Sequence, residues 1–318
     1  NNLTRLCFDI EKKYKVNLGE SYVPIISIMK FRQLLDIVNV QLNECASIDE
    51  NKLLDTENYA RENTEFYISD SDSATKEPLN DKFILSQNDL QDNWYEMISK
   101  DYIVSYLNGD LLENRFITST GRPLKVYWSI VDLTLANYNL WKRRNDWYSI
   151  TLQHKCLTFH LLDNMGNRLA EGNDIRIDQT INTMSVNIHN INLEDLKKYY
   201  EAMHKFNPYW ISGEPSVVYM ISEYIRHSGV KTFENLKYIE FCGETIPHDF
   251  VTSIKAVFPN AQISTLYSSP ETGPIALSCS CGELHIFENN VNVEIMKNNE
   301  LASESESGQI IITNLKNK

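Results

Sequence analysis

Tyr238-Ile239-Glu240-Phe241-Cys242-Gly243-Glu244, an amphipathic stretch, and then Gln262-Ile263-Ser264-Thr265-Leu266-Tyr267-Ser268-Ser269-Pro270-Glu271-Thr272-Gly273 decide the fold. Tyr238 to Phe241 and Gln262 to Leu266 are short apolar runs of strand type, and His248 to Phe258 carries helical periodicity between them. A strand-helix-strand unit of this length predicts parallel pairing and a right-handed crossover. Ligands of open α/β sheets bind outside the C-terminal ends of the strands. Both strands here end in polar, glycine-containing segments. Gly243 allows close approach of backbone to a flat base. Glu271, flanked by Tyr267, Ser268 and Ser269, suits a divalent cation carrying phosphates, because Mg2+ takes one or two carboxylates and completes its shell with phosphate oxygens. The competing reading is a polar turn with a solvated Glu271.

Working towards the N-terminus, Pro208 introduces a strand at Tyr209 to Ile211, a turn at Ser212-Gly213-Glu214-Pro215-Ser216 and a helix from Val217 to His227. Asn192 caps an amphipathic helix beginning at Leu193. Residues 149 to 190 read as short strands and loops, with a turn at Asn164 to Asn167. A helix over Val131 to Trp147, with Ala136 and Leu140 inward, follows a strand at Leu124 to Trp128. The first hundred residues read as mainly helical. Their signals are apolar spacing from Ile28 to Val38, a helix start at Ser86 and Asp89, and a helix over Leu90 to Tyr102 with Trp94, Met97 and Ile98 on one face. Asp70 to Asp81 is a polar loop. Beyond Gly273, runs at Leu284 to Phe287, Val291 to Met296 and Gln309 to Thr313 predict antiparallel β structure, a small barrel or sandwich. The acidic stretch Ser303 to Glu306 is a solvated hairpin loop.

The chain has 318 residues, 42% of them apolar, enough for two or three domains or one large α/β domain with an appendage. The expected division is 1–115, mainly helical; 116–275, an α/β core; and 276–318, a β subdomain. Acidic residues number 43 against 30 basic, a net charge of −13, which argues against nucleic acid as a partner. Asn1 to Arg5 lack an apolar h-region, and stretches such as Tyr22 to Met29 fall short of the roughly 20 residues of a membrane span. The expectation is a cytoplasmic protein with no membrane partner.

Thr118-Ser119-Thr120-Gly121-Arg122-Pro123 brings hydroxyls, a flexible glycine and a cation into one loop, which can cradle phosphate through backbone N–H groups or be a plain surface turn. It lacks the glycine and lysine spacing of the nucleoside triphosphatase P-loop. His154, His160, His189 and His204 have no carboxylate or cysteine at ligand spacing. Lys142-Arg143-Arg144 reads as a solvated helix end. Trp128, Tyr138, Trp141, Trp147 and Tyr148 read as core. Cys7, Cys45 and Cys156 read as buried small hydrophobes.

The order of these segments resembles the adenylate-forming enzymes. It runs from the Thr118 to Pro123 loop through Gly213 to Ser216, Gly243-Glu244, Tyr267 to Gly273 and Gly282-Glu283-Leu284-His285 to Gly308 to Thr313. It is most similar to their phenylacetate-coenzyme A ligase branch and its CapK-like relatives. Phe83 to Leu90 resembles the N-terminal segment of that branch. The resemblance covers roughly residues 50 to 318 and rests on order and spacing. It implies a layered αβαβα domain with a small barrel-like β subdomain, and condensation of a carboxylic acid with ATP to an acyl adenylate and pyrophosphate. The acyl group then passes to the thiol of coenzyme A or of a carrier protein's phosphopantetheine. The implied partners are therefore a small carboxylic acid, possibly aromatic, and one of those thiols; a homodimer is left open.

Carried over by position, Thr118, Ser119, Thr120 and Gly121 hold the ATP phosphates with Arg122 beside them. Glu271 ligates Mg2+ and, with Thr120, acts in catalysis. Gly243, Glu244 and Tyr267, followed by Ser268 and Ser269, wall the adenine and acyl slots. No Ser, Cys or His nucleophile is implied, because aligning two anions calls for charge neutralisation. The sequence departs from the family pattern at Thr118 and Ser268, where glycines are usual, and at Pro270, where threonine is usual. Ser269 and Thr272 are near enough to compensate. The ribose-binding aspartate, its arginine and the lysine of the mobile C-terminal domain lie downstream of the strand matched by Gln309 to Thr313. The resemblance thus covers the large N-terminal portion of such an enzyme; the rival reading is a non-catalytic nucleotide- or acyl-binding homologue. Some members of this branch carry a structural Zn2+, and Cys242, His248, Cys279 and Cys281, with His285 as the alternative ligand, have the residue types for one.

Overall fold

The computed structural model describes residues 52–68, 84–117, 122–161, 174–188, 193–298 and 300–317. In chain order the helices and strands are α1 (Lys52–Asn63), α2 (Glu65–Ile68), α3 (Gln87–Asn93), α4 (Lys100–Leu107), β1 (Leu112–Ile117), β2 (Pro123–Trp128) and α5 (Ile130–Tyr148). There follow β3 (Cys156–Leu161), β4 (Ile175–Asp178), β5 (Thr183–Ile188), α6 (Leu193–Phe206), β6 (Trp210–Gly213), α7 (Pro215–Ser228), β7 (Tyr238–Phe241) and α8 (His248–Val257). The last are β8 (Gln262–Ser269), β9 (Gly273–Ser278), β10 (Leu284–Ile286), β11 (Val291–Lys297), β12 (Glu300–Leu301) and β13 (Gln309–Asn314). The chain divides into two units. The expected signals at Ile28 to Val38, Asp70 to Asp81 and Asn164 to Asn167, the cap at Asn192, His189, Cys7 and Cys45 lie outside the described residues.

One unit comprises residues 138–268 and 276–285 within the described chain. Its sheet has the order β10-β9-β8-β7-β6-β3-β5-β4. β3, β5, β6, β7 and β8 run parallel, with Tyr238 opposite Gln262 and Phe241 opposite Thr265. β4 is antiparallel to β5. The chain runs from β3 to β5 on one side and then to β6 on the other, so the topology reverses at β3. α7 turns Val217, Val218, Ile221, Ser222 and Ile225 inward at helical spacing, begins with proline where its missing N–H costs nothing, and ends at Gly229 with a φ of 63°. α6 contributes Tyr199, Tyr200, Met203 and Phe206, and α8 Ile254 and Val257. They cover Leu157, Phe159, Val186, Ile211, Ile239 and Phe241 from the sheet. Each such side chain contributes about 1.5–3 kcal/mol by leaving water.

The alternate residues of β7 meet α5. Arg144 donates from Nε to Glu240 Oε2 at 2.8 Å, and the two side chains are 8% and 0% exposed. Tyr238 donates to the same carboxylate at 3.0 Å, and its ring stacks on Tyr148 at 4.5 Å. The guanidinium lies over Trp141 and Trp210. The expected solvated helix end is therefore corrected: Arg144 is an ion-paired core residue.

The other unit contains, among described residues, those from 52 to 137, 269–275 and 286–317. α3 starts where expected, with Ser86 N–H donating to Asp89 Oδ2 at 2.7 Å and Asp89 N–H to Ser86 Oγ at 3.3 Å. The expected helix over Leu90 to Tyr102 instead breaks at 94–98 and resumes after the buried Ser99. Trp94 then packs against Tyr95, Tyr106 and Tyr127. β1 and β2 form an antiparallel pair, and Trp128 at the end of β2 is buried. The C-terminal strands do not take the expected barrel or sandwich arrangement. β11, β12 and β13 form a three-stranded antiparallel sheet, while β10 adds to the edge of the eight-stranded one. The acidic Ser303 to Glu306 loop joins β12 to β13, and Glu306 pairs with Lys297 at 2.7 Å on the surface.

Candidate functional site

The C-terminal ends of β6 and β7 bring Gly213, Glu214, Cys242, Gly243 and Glu244 together. Cys242 N–H donates to the Gly213 carbonyl at 3.1 Å, continuing the parallel ladder past β7. Gly213 has no room for a side chain, since an added Cβ would lie 2.7 Å from Cδ2 of Phe159 on β3. Gly243 takes a φ of 84°, and its absent Cβ would sit 3.5 Å from Cγ of Glu214. Glu244 accepts from Ser216 N–H at 3.2 Å, placing a carboxylate on the positive N-terminal end of α7. Glu214 Oε2 is buried without a hydrogen-bond partner among the described residues. Burial raises the Glu214 carboxyl above its ordinary range, its own backbone N–H works against this, and neighbouring Glu244 adds to the rise. The Cys242 thiol is pushed up to about 11 by burial and by Glu240 and Glu214. At the end of β8, Tyr267 and Ser268 are exposed.

In the second unit, the turn after β8 is held from several sides. Trp128 Nε1 donates to the Pro270 carbonyl at 2.9 Å, and Asn314 Nδ2 to the Glu271 carbonyl at 2.7 Å. The hydroxyls of Ser269 and Thr272 lie 2.9 Å apart, bonded to each other. Gly273 has a φ of 70° and would meet Ala136 and Trp128 with any side chain. The Glu271 carboxylate, by contrast, has no hydrogen bond or ion pair among the described residues. It lines a cavity of about 740 Å³ with Tyr59, Arg61, Ile84, Met97 and Ile311. That volume is within the range of small-molecule sites, about 300–1,000 Å³. A half-buried carboxylate with free acceptor capacity, next to two hydroxyls, fits a hard divalent cation.

Thr118, Ser119, Thr120 and Gly121 lie outside the described residues. Arg122 pairs with Asp92 at 2.6 Å, both side chains more than half exposed. His154 stacks on Tyr209 with ring centres 4.0 Å apart and accepts from Thr151 N–H, a local packing role.

The expected four-ligand Zn2+ site is not assembled. Among the described residues, no group of three or more His, Cys, Asp or Glu side chains could hold a metal ion. β8 lies between β7, which leads to Cys242, and β9, which leads to Cys279. Two strand spacings separate their ends by roughly 10 Å, far beyond the reach of tetrahedral ligands about 2.3 Å from one ion. His248 opens α8. Cys279 and Cys281 do meet, with sulfurs 2.8 Å apart. Cys281 first and His285 second hold the Cys279 thiol down to about 6, and the same hydrogen bond raises Cys281.

Sequence reasoning gave Glu214 no role. Its signal is an acidic residue between a buried strand and a proline at a helix start, where the carboxyl is carried against the next strand's end.

No family model matches this sequence, and no curated protein does. Solved structures of a 2-hydroxyisobutyryl-CoA ligase in several states are similar to it. The open conformation, in complex with 2-HIB-AMP and CoA, has a TM-score of 0.64 at 15% identity over 84% of this chain and 60% of that one. The thioesterification state has a TM-score of 0.63 at 16% identity over 84% and 59%. The postadenylation state with R3-HIB-AMP has a TM-score of 0.63 at 17% identity over 84% and 58%. No helix among the described residues is long and apolar enough to cross a membrane. This chain spans about three fifths of the length of those structures and, over 84% of itself, shares the fold of a CoA ligase.

Proposed function

We propose that the chain is the nucleotide- and acid-binding portion of an adenylate-forming ligase, which activates a carboxylic acid with ATP and passes the acyl group to a thiol. The similar ligase binds 2-HIB-AMP and CoA. The acceptor proposed here is likewise coenzyme A, with a carrier protein's phosphopantetheine as the alternative. The motif order favours the phenylacetate ligase branch, which puts aromatic acids among the candidate substrates. The observation that carries the reading is Glu271: the residue expected to bind Mg2+ lines a cavity of about 740 Å³, and its carboxylate has no partner among the described residues.

In this reading the backbone N–H groups of Thr118 to Gly121 hold the phosphates. Gly243, with no side chain at a positive φ, lets the base lie against the end of β7. Glu244, fixed by Ser216 N–H, borders that slot, and Tyr267 and Ser268 border it from β8. Mg2+ at Glu271 would supply positive charge to the phosphate oxygens. Substrate carboxylate and α-phosphate are both anionic, so the residues work by aligning and neutralising them, and no side chain need form a covalent bond.

A non-catalytic binding homologue is the second reading. It is favoured by the Arg122–Asp92 pair and by the hydroxyls of Ser269 and Thr272 being spent on each other. Thermal unfolding with saturating ATP and Mg2+ tests nucleotide binding: ligand at about 100 times Kd should stabilise the chain by about 2.7 kcal/mol. An unshifted transition at millimolar ATP removes the ligase reading and the nucleotide-binding form of the second one.

A further inference from the structure

Cys279-Ser280-Cys281-Gly282 forms the turn between β9 and β10. Gly282 N–H donates to the Cys279 carbonyl and Cys279 N–H to the Glu283 carbonyl, both at 2.9 Å, and Gly282 takes a φ of 92°. The tight turn folds the two thiols onto one side, 2.8 Å apart. Disulfide sulfurs are about 2.05 Å apart, so bond formation needs further approach of under about 1 Å. Cys281 is exposed and Cys279 partly so. Cys156, by contrast, is buried at 5% exposure.

We propose that Cys279 and Cys281 are a reversible dithiol–disulfide site that exchanges with small-molecule disulfides of the glutathione type. The Cys279 thiolate attacks one sulfur of the small disulfide, forming a mixed disulfide and releasing one thiolate. The Cys281 thiolate then attacks the Cys279 sulfur, closing the ring and releasing the second. The two protons lost by the cysteines end on the two released thiols. The protein dithiol is oxidised and the small disulfide is reduced to two thiols. Short, exposed disulfides of this kind are readily reduced, so the site responds to the surrounding thiol pool in both directions. The inference stands independently of the ligase reading.

The experiment incubates the purified chain with oxidised glutathione and follows it by intact mass, thiol titration and peptide mapping. The expected result is loss of two free thiols among the six cysteines. The mass should fall by two hydrogens with no retained glutathione, a disulfide should map to Cys279 and Cys281, and dithiothreitol should reverse all three changes. Cys281→Ser should instead retain one glutathione on Cys279, because the resolving thiol is gone. An unchanged thiol count, a stable glutathione adduct on the unaltered chain, a disulfide mapped elsewhere, or one equivalent of a bound metal protecting both thiols would overturn the proposal. The mapping uses the unaltered chain, so the test does not depend on the variant folding.

Discussion

Replacing Glu240 by leucine removes the partner of a buried cation. Arg144 would keep its charge at a site where its side chain is 8% exposed, and its remaining neighbours, Trp141 and Trp210, accept a cation only through their ring faces. Those ring contacts exist in both proteins and do not enter the difference. Tyr238 loses Glu240 but retains Ser264, 2.5 Å away, so no second donor is orphaned. The cost is that of one uncompensated buried charge, about 3–5 kcal/mol. With a urea m-value near the top of the usual range of about 1–3 kcal/mol/M, the midpoint should fall by about 1–2 M. Tryptophan fluorescence reads it directly, because two tryptophans flank the guanidinium. Arg144→Met combined with Glu240→Leu removes both charges and should lie within about 1–2 kcal/mol of the parent, well short of the sum of the single costs. A single-variant loss below about 1 kcal/mol, or additivity in the pair, would mean that Glu240 does not compensate a buried charge on Arg144.

Gly213→Ala drives a methyl to within 2.7 Å of the Phe159 ring and should cost about 1–3 kcal/mol, partly recovered by Phe159→Leu; an unchanged midpoint counts against the packing described. Glu214 has its folded pKa raised by burial, so the folded state binds the extra proton and stability falls as pH climbs from the unfolded value through the folded one. Glu214→Gln should flatten that slope in unfolding midpoints measured across acid to neutral pH, and an identical slope would remove the effect. Ser86→Ala deletes one half of the capping box and should cost about 1 kcal/mol, with faster amide exchange over 87–93. Unaltered exchange there would mean the cap is idle.

The β7-α8-β8 unit was legible because its period changes from strand to helix to strand within a few residues, and the paired register follows. Arg144 was not, since three consecutive basic residues look solvated. Its signal was nevertheless present: Ala136, Leu140, Arg144 and Tyr148 recur every fourth residue, and all four are buried. The charged Glu240 inside the apolar Tyr238 to Phe241 strand is the matching half. The break after α3 was missed because no glycine or proline marks it, and the helix restarts on serine. The C-terminal strands were found individually, but sheet membership depends on pairing partners remote in sequence. β10, exposed at all three residues, joined the large sheet. Motif order singles out Glu271, whereas its place in the lining of a cavity is visible only in three dimensions.

Acid activation through an adenylate is read out by acid-dependent exchange of labelled pyrophosphate into ATP. The assay should use the whole protein and a panel of carboxylic acids that includes aromatic ones. Exchange is expected with at least one acid, lowered on the order of 10² to 10³-fold by Glu271→Ala with the unfolding midpoint nearly unchanged. Exchange unaltered by that substitution, or no exchange with any acid despite ATP binding, would contradict it.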